Sequence, residues 1–439
     1  MMKEYIKYQQ DKDEFKSMIN HIANLCAIPS VSIEGESEDY PFGKEANNAL
    51  DYALNLAKEF GFNTYKDVQN RYGFAEIGSG DKIIGILAHL DVVPAGDESQ
   101  WNTSAFVPVI TDDAVICRGS LDDKGPSIIN LYAMKYILDN NLISSEWKIR
   151  IIFGISEETT MKSMKYYLAD FGAPYISYTP DGEWPLIYAE KMVYHVNLEF
   201  PKIEGVSLDA GDVVNQIPDS VILKYQNKQM TIKGIGGHGS TPEKGDNAVI
   251  KAIKMLYNID SKLREKPLIK FVMDNLSKGN YELNNIFKNY ADFSGNLSAN
   301  LGMVRTYQDK YIMSFDLRVP VTHSVGEVTD TLLNYLEDHF EGDVKMHLVG
   351  SKNPKYIDIQ SKLVTILMET FNEALNVKEV PLAIGGGTYA RLIDSCVAFG
   401  STKYMHLMHG PNEYFTFKEI KESLEIYINA LNRLQDYDK

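Results

Sequence analysis

The chain has 439 residues, 44% of them hydrophobic, which is enough for two or three domains with buried cores. Its 60 acidic and 44 basic side chains leave a formal charge of −16. This charge repels nucleic acid and anionic membrane surfaces, so we expect neither as a partner.

Cysteine usage and the absence of long apolar runs favour the cytoplasm. The three cysteines, Cys26, Cys117 and Cys396, are odd in number and far apart, as expected for reduced thiols rather than for disulfides or a structural zinc site. The N-terminal residues are charged, and no apolar run is long enough to span a bilayer. We therefore expect a cytoplasmic protein.

The first predicted elements are a helix and a buried strand. Apolar residues recur at helical spacing from Lys44 to Phe60, and Gly61 ends the pattern as a glycine after a helix does. Ile83 to Ala88 form an apolar run that is typical of a strand buried on both faces. Polar His89 and Asp91 follow at the point where this strand should end.

The same order of elements continues along the chain. A helix is predicted directly after Asp122 and Asp123, the strand WKIRIIFG is followed by Glu157 and Glu158, and the strand PYISYTP is followed by Asp181. Strands that alternate with helices predict an α/β fold with a parallel sheet, whose ligands gather at the carboxyl ends of its strands. We therefore expect these polar residues to meet at one edge of the sheet.

From about Lys191 the pattern changes to alternating strands with helices between them, which is typical of an α+β domain. After Pro354 come predicted helices at about 361–375 and 417–434, with a glycine cluster at 385–387. We predict a first domain at 1–190, a second at 191–352, and a return of 353–439 to the first, since so short a tail would make a poor core by itself.

Each polar group has an ordinary structural explanation when it is considered alone. His89 and Asp91 share one face of an extended segment, so Asp91 could orient a metal-bound imidazole, but a hydrogen-bonded core histidine is the usual alternative. Asp122 and Asp123 could simply favour the dipole at a helix start. Glu157-Glu158 is harder to explain in this way, because adjacent carboxylates near a core repel each other and need a cation or a proton.

Asp181 and His409 complete the residue types of a two-ion hydrolytic site. In such sites oxygen and nitrogen donors hold ions about 3.5–4 Å apart around a shared carboxylate and a water molecule. Either residue alone is better explained as part of a turn or the surface. The combination is more specific, although its mixed carboxylate and imidazole donors suit zinc, manganese and cobalt alike.

Seven motifs give the chain a family resemblance: HLDVVP, RGSLDDKGP, ISEET, TPDGEWP, GGHGSTP, IGGGTYAR and HGPNE. They occur in the order found in a family of co-catalytic zinc metallopeptidases. Over residues 20–420 the chain resembles the branch with PepV-type and carnosinase-like dipeptidases, and carboxypeptidase G, aminoacylase and succinyl-diaminopimelate desuccinylase are more distant relatives. The resemblance implies a parallel-sheet α/β catalytic domain, residues 1–190 and 353–439, with an inserted α+β lid domain, residues 191–352.

The resemblance also implies a metal ligand set. Asp122 resembles the carboxylate that two divalent ions share, His89 and Asp181 resemble the other ligands of one ion, and Glu158 and His409 resemble those of the second. Two Zn²⁺ ions per chain are the expected cofactors, with Mn²⁺ or Co²⁺ as alternatives.

Glu157 resembles the general base that activates the bridging water. Asp91, which could orient the imidazole of His89, is a further candidate catalytic residue. The peptide bond between Asp122 and Asp123 is expected to be cis. Further residues resemble groups that contact the substrate. They are His238 at the oxyanion, Asn215 and Arg318 at other substrate positions, and Gly386, Thr388 and Arg391 at the substrate carboxylate. Without the resemblance, a tight turn and a surface cation would be the simpler interpretations of the glycines and Arg391.

The expected reaction is therefore hydrolysis of the amide bond of a dipeptide. In the family, aspartate at the position of Asp181 is typical of dipeptidases and aminopeptidases, whereas glutamate is typical of carboxypeptidases and desuccinylases. An N-acyl amino acid deacylase or a carboxypeptidase is the alternative. A metal-dependent binding module is disfavoured, because binding alone would not require Glu157.

The length of the second domain bears on assembly. Family members with a short lid take the oxyanion histidine from a partner subunit, whereas PepV-type relatives have an enlarged lid that supplies it within one chain. An extra helical segment predicted at about Leu263 to Tyr290 favours the second arrangement. We expect an active site that is complete within one chain, and a monomer.

Overall fold

A computed structural model describes residues 3–9, 11–277, 279 and 281–438. The chain separates into two compact units. The first unit consists of Met1–Tyr188, Ile357–Leu382 and Thr388–Lys439, and the second unit of Ala189–Tyr356 and Ala383–Gly387. Among the described residues, no helix combines the length and the hydrophobicity that a bilayer-spanning segment requires.

The α-helices of the described chain are α1 Lys12–Cys26, α2 Lys44–Glu59, α3 Lys124–Asp139, α4 Lys162–Phe171, α5 Ala248–Ile259, α6 Pro267–Asn275, α7 Val325–Phe340, α8 Lys362–Leu375 and α9 Phe417–Leu434. Its strands are β1 Asn63–Lys66, β2 Gly73–Gly78, β3 Lys82–His89, β4 Val109–Ile110, β5 Ala114–Ile116, β6 Trp147–Gly154, β7 Ile176–Thr179, β8 Ile187–Glu190, β9 Met192–Pro201, β10 Val206–Ala210, β11 Gln216–Ile217, β12 Ser220–Tyr225, β13 Lys228–Lys233, β14 Gly237–His238, β15 Ala291–Asp292, β16 Gly295–Asn296, β17 Ser298–Thr306, β18 Lys310–Val319, β19 Lys345–Lys352, β20 Lys355–Tyr356, β21 Leu382–Ile384, β22 Cys396–Ala398 and β23 Tyr414–Thr416.

The first unit is built on a mixed sheet in the order β1-β2-β6-β3-β7-β22. The strands β6, β3, β7 and β22 run parallel to one another. The apolar run predicted as a strand forms the centre of β3, and its residues Ile84, Ile86 and Leu87 are fully buried. Burial on both faces explains why this strand shows no alternation of apolar and polar residues. The predicted α/β fold class is confirmed.

Helices cover this sheet and form the rest of the first core. α2 packs on β1 and β2, α4 packs on β6, and α3 packs on β3 and on α9. α2 ends at Glu59, and Gly61 follows with a φ of 82°. A residue in this left-handed conformation ends a helix at little cost only when it is glycine, which explains the predicted end.

The second unit contains an antiparallel sheet in the order β13-β12-β10-β17-β18-β9-β19. α5 packs on β12 and β13, α6 on β9, and α7 on β19. One apolar core joins the sheet and these helices, as the buried side chains of Val249, Phe271, Leu317 and Leu336 illustrate. The predicted α+β pattern of this region is confirmed.

The predicted helical segment at 263–290 is only partly helical. Within it, α6 covers Pro267–Asn275, and the described residues after α6 form turns. Lys278 and Asn280 lie outside the described residues. Leu283, Ile286 and Phe287 are buried in the core of the second unit, so their apolar character reflects burial of a turn rather than a helical face.

Candidate metal centre

The first group of polar residues lies at or just after the ends of strands. β3 ends at His89, which pairs in parallel with Gly154 at the end of β6. Glu157 and Glu158 follow β6, and Asp181 follows β7 by two residues. The expected edge of the sheet therefore carries these side chains, since the carboxyl ends of parallel strands lie side by side.

Asp122 lies in the turn before α3, and its two carboxylate oxygens face different histidines. Oδ1 is 2.9 Å from Nε2 of His89, and Oδ2 is 2.9 Å from Nε2 of His409. Nε2 of His409 is also 3.1 Å from Oε1 of Glu158, and Nε2 of His89 is 3.7 Å from Oδ2 of Asp181. The structure thus brings the five predicted ligands together, with Asp122 between the two imidazoles. The peptide bond Asp122-Asp123 is cis.

These donors fit a divalent cation. Two sets of ligand atoms converge within 4.8 Å, one from His89, Asp122 and Glu158 and one from His89, Glu157 and Asp181. Neighbouring ligand atoms around a tetrahedral zinc ion lie about 3.4 Å apart, given bonds of about 2.0–2.2 Å. The separations from His89 and His409 range from 2.9 to 3.7 Å. Nε2 of His89 is fully buried and lacks an aligned hydrogen bond even at 2.9 Å from Asp122, as expected for an atom that faces an ion.

The electrostatics of the cluster also indicate a cation. Burial raises the pKa of Asp181 well above its usual value, and the charge of Asp122 adds to the effect. Burial likewise raises the pKa of Glu158. Burial lowers the pKa of His89 and of His409, but the neighbouring carboxylates raise both pKa values overall. Carboxylates this close together need bound protons or positive charge, and a divalent ion supplies the charge.

Glu157 is one of the converging donors, but the sequence predicts it to be a base rather than a ligand. Its side chain is buried, and its Oε1 accepts no hydrogen bond. Burial raises the pKa of Glu157 to about 8. A carboxylate with a vacant oxygen and a pKa near neutrality is suited to accept a proton and to release it again.

Asp91 has different partners from those expected. Nδ1 of His89 lies 3.0 Å from the backbone carbonyl of Asp91 but 3.6 Å from its carboxylate, so the carbonyl is the hydrogen-bond acceptor. The carboxylate instead accepts from the amides of Glu157 and Glu158, each at 3.0 Å. The strand ends at His89, so the alternation that would place both side chains on one face stops before Asp91.

Tyr389 is a neighbour of the centre that the sequence interpretation missed. Its fully buried ring meets the imidazole of His89 edge to face, with centroids 6.2 Å apart. A Cβ atom on Gly154 would lie 2.0 Å from the Tyr389 hydroxyl, so only glycine fits at the end of β6. The sequence feature that could have identified Tyr389 is its position in the IGGGTYAR motif, directly after Thr388.

In the second unit the predicted substrate residues lie near one another. The Asn215 carbonyl accepts from the amide of Gly239, at 2.7 Å, and His238 pairs with Gln216 in a short ladder between β11 and β14. Nδ1 of His238 accepts from the amide of Ser240 at 3.1 Å.

Arg318 lies on β18 and is held by its own unit. Its guanidinium contacts both the Asp316 carboxylate, at 2.7 Å, and the Gly385 carbonyl, at 2.6 Å. Gly386 follows in the same segment of the second unit. Thr388 and Arg391 belong to the first unit, where Thr388 caps the short 3₁₀ helix Tyr389–Leu392 that carries Arg391.

Comparisons with known proteins identify the family. The model of peptidase family M20/M25/M40 matches residues 85–433. A "putative dipeptidase" of Staphylococcus aureus strain MRSA252 is 32% identical over 98% of this chain and 98% of the relative.

Solved structures agree on the fold. Human carnosine dipeptidase 1 covers 96% of this chain and 97% of its own, with a TM-score of 0.62 and 14% identity. The M20 family metallo-carboxypeptidase Sso-CP2 of Sulfolobus solfataricus covers 97% and 99%, with a TM-score of 0.59 and 15% identity. At these identities the likeness concerns the fold alone. The match of the family model over most of the chain, together with the staphylococcal relative, shows that the chain belongs to peptidase family M20/M25/M40.

Proposed function

We propose that this metal-dependent peptidase hydrolyses the amide bond of dipeptides at a centre of two divalent cations, with Glu157 as the general base. The observation that carries the proposal is the carboxylate of Asp122, whose two oxygens face His89 and His409 beside the vacant oxygen of Glu157. The first unit would be the catalytic domain and the second unit the lid.

In this proposal Asp122 is the shared ligand, His89 and Asp181 hold one ion, and Glu158 and His409 hold the other. Bound ions would polarise the scissile carbonyl and lower the pKa of a water molecule. Zn²⁺ is the expected metal, and Mn²⁺ and Co²⁺ suit the same mixture of oxygen and nitrogen donors.

Glu157 then performs two proton transfers. It removes a proton from the attacking water, which forms the new bond to the carbonyl carbon, and it returns the proton to the leaving amine as the amide bond breaks. Its buried carboxylate, whose Oε1 accepts no hydrogen bond, can take up the proton and give it back. The amides of Glu157 and Glu158 are held by Asp91, so the base and the neighbouring ligand share one support.

His238 is proposed to stabilise the negative charge that develops on the carbonyl oxygen. The Ser240 amide donates to Nδ1 of His238 at 3.1 Å, which helps to orient the ring, and a hydrogen bond from the imidazole to the oxyanion would be the stabilising contact. Asn215, Arg318, Gly386, Thr388 and Arg391 are proposed to bind the substrate. The basic side chains among them suit its carboxylate.

The choice of dipeptides over other amides rests on two observations. The staphylococcal relative is named a "putative dipeptidase", and by the family resemblance aspartate at the position of Asp181 is typical of dipeptidases and aminopeptidases. An N-acyl amino acid deacylase or carboxypeptidase is the second candidate, since a carboxypeptidase shares the fold. Cys26, Cys117 and Cys396 are buried, and their odd number and wide spacing suit reduced thiols, which supports a proposed location in the reducing cytoplasm.

Hydrolysis of matched substrates tests the proposal. Purified protein would be stripped with a chelator, reloaded separately with Zn²⁺, Mn²⁺ or Co²⁺, and assayed with a dipeptide, its N-acetyl and C-amide forms, an N-acetyl amino acid and a pentapeptide. We expect chelation to abolish activity and the free dipeptide to be cleaved at least about tenfold faster, because both of its charged termini are bound. Faster cleavage of an N-acyl amino acid would instead establish the deacylase, and chelator-resistant cleavage would contradict the metal centre.

A further inference from the structure

A buried ion pair lies beside the candidate metal centre but outside its ligand set. Arg118 and Glu413 are 1% and 0% exposed, and Nη1 of Arg118 is 2.8 Å from Oε2 of Glu413. The two residues are 295 positions apart in the sequence. Removing two charges from water is costly, and a hydrophobic pair of similar volume is often at least as stabilising, so stability alone does not explain this pair.

The second oxygen of Glu413 holds the backbone beside Asp122. Oε1 accepts a hydrogen bond from the amide of Leu121 at 2.8 Å and a longer one from the amide of Asp122 at 3.3 Å. Thus one carboxylate oxygen contacts Arg118 while the other contacts the turn that carries the proposed shared ligand.

Arg118 holds the other side of the centre. Nη2 donates to the carbonyl of His409 at 3.1 Å, and Nη1 donates to the carbonyl of Gly410 at 3.0 Å. Nη2 also lies 3.4 Å from the Pro94 carbonyl. The guanidinium therefore contacts two successive carbonyls of the turn that carries a proposed metal ligand.

That turn needs support. His409 has a φ of 62°, in the left-handed region that costs energy for a residue other than glycine. Its imidazole is half exposed, so little packing fixes the side chain from outside. The backbone contacts of Arg118 restrain the conformation that points Nε2 toward Asp122.

We propose that Arg118 and Glu413 are positioning residues that lock the Asp122 turn to the His409 turn, and thereby preset two metal ligands for a divalent cation. This inference rests on the proposed function. It predicts that the pair contributes to metal affinity separately from its contribution to folding. Partners that orient metal ligands typically change affinity by about 10–100-fold when they are removed.

The main test compares Arg118→Gln, Glu413→Gln and the double variant, with Co²⁺ as the probe. Each single variant leaves one buried charge without its partner and should lower the thermal unfolding midpoint of the metal-free protein. The double variant removes both charges and should recover much of that midpoint. Its glutamines cannot reproduce the contacts to both the Asp122 turn and the His409 turn. Its Co²⁺ affinity should therefore stay about 10–100-fold below that of the native protein. The affinity is measured by titration, from the visible absorption of the bound ion.

Arg150 and Glu76 provide a matched control in the same unit. They form another largely buried pair, with Nη2 2.6 Å from Oε2, and contact no proposed ligand. The Arg150→Gln/Glu76→Gln variant should change the unfolding midpoint but keep Co²⁺ affinity within about twofold of native, as expected for independent sites.

A conservative variant covers the case in which the double variant does not fold. Arg118→Lys keeps the positive charge for Glu413 but cannot span two carbonyls, so its unfolding midpoint should fall less than that of Arg118→Gln while its Co²⁺ affinity and spectrum change. Native affinity in both Arg118→Lys and the double variant would overturn the proposal, as would an equal loss of affinity in the control pair. Failure of the native protein to bind Co²⁺, Zn²⁺ or Mn²⁺ would instead refute the metal centre itself.

Discussion

The buried carboxylate of Asp91 accepts hydrogen bonds from two successive amides, those of Glu157 and Glu158. Adjacent side chains leave the backbone in different directions, so fixing these two amides fixes a proposed base and a proposed ligand at once. The carbonyl of Asp91 also faces Nδ1 of His89, which leaves Nε2 for the centre. Asp91 binds no ion in the proposal, yet it orients the proposed base Glu157 and the proposed ligands Glu158 and His89.

Replacing Glu157 by glutamine separates its proposed role from metal binding. The amide keeps the size of the side chain but cannot accept the proton, so hydrolysis should fall by about 10²–10⁴-fold. Metal content, measured by elemental analysis of the same sample, should remain at the native level. Turnover close to native with intact metal would show that another group is the base.

Asp91→Asn tests the support of the Glu157-Glu158 backbone. Its amide nitrogen cannot accept from a backbone N–H, so one of the two hydrogen bonds is lost, and we expect kcat to fall by about 10–100-fold. Asp11 also accepts hydrogen bonds from two backbone amides, but through Oδ1 alone, at the exposed start of α1. Asp11→Asn is thus the control and should keep native kcat, and an equal loss in both variants would contradict the positioning role.

The sequence revealed the residues of the centre more readily than their supports. His89, Glu157 and Asp181 could be recognised because each follows a predicted strand, where the topology brings side chains together. Arg118 and Glu413 stand in recognisable motifs, but their contact joins distant parts of the chain and leaves no periodic signal. Predicting it requires the fold.

Helix α9 shows why some boundaries could be predicted well. Its residues Phe417–Leu434 match the predicted helix, and Thr416 and Glu419 form a reciprocal capping box at its start. An apolar face and a strong cap act together there. By contrast, β22 has only three residues, which is too short for a periodic pattern in the sequence. It is defined in the structure by its parallel pairing with β7.

The turn between β1 and β2 contains an acid-sensitive contact. Asp67 is buried, and its carboxylate accepts hydrogen bonds from Nε and Nη2 of Arg71, at 2.7 and 2.9 Å. Burial raises the pKa of Asp67, but the hydrogen bonds and charge of Arg71 outweigh it, so the net pKa is below its usual value. The stabilising contribution is therefore present above the unfolded pKa of about 4 and is lost as the pH falls through the folded pKa.

Asp67→Asn should lower stability by about 2 kcal/mol at pH 7, because hydrogen bonds to a charged group are lost. The difference from the native protein should begin to shrink as the pH falls below the unfolded pKa of about 4, and it should shrink further as the pH falls through the folded pKa, where the native carboxylate takes up its proton. The stability difference between the native protein and Asp67→Asn is measured from their thermal unfolding midpoints at pH 7, 5 and 3. Asp51→Asn, which removes a more exposed partner of Lys66, is the control and should have little effect at any pH. A gap for Asp67→Asn that is constant down to pH 3 would contradict the linkage.

The path of the chain between its two units is more complex than a single insertion. The short segment Ala383–Gly387 belongs to the second unit although both flanking segments belong to the first. Its place is set by backbone contacts, since Ile384 accepts from the Lys191 amide at 2.9 Å and Gly385 accepts from Arg318. A run of glycines has no hydrophobic pattern, so the sequence could not assign it to either unit.

Because His238 belongs to the second unit and Glu157 to the first, catalysis as proposed needs residues from both units. They can come from one chain or from two, and the extra residues around α6 favour one chain, even though only Pro267–Asn275 is helical there. Mixing inactive His238→Ala with inactive Glu157→Gln distinguishes the cases. If His238 acts across subunits, random exchange should restore about a quarter of native activity, since half of the dimers are mixed and each has one intact site. We expect no recovery, together with a monomeric mass or demonstrated subunit exchange. Restored activity would show that the site is shared between chains and would refute the single-chain arrangement.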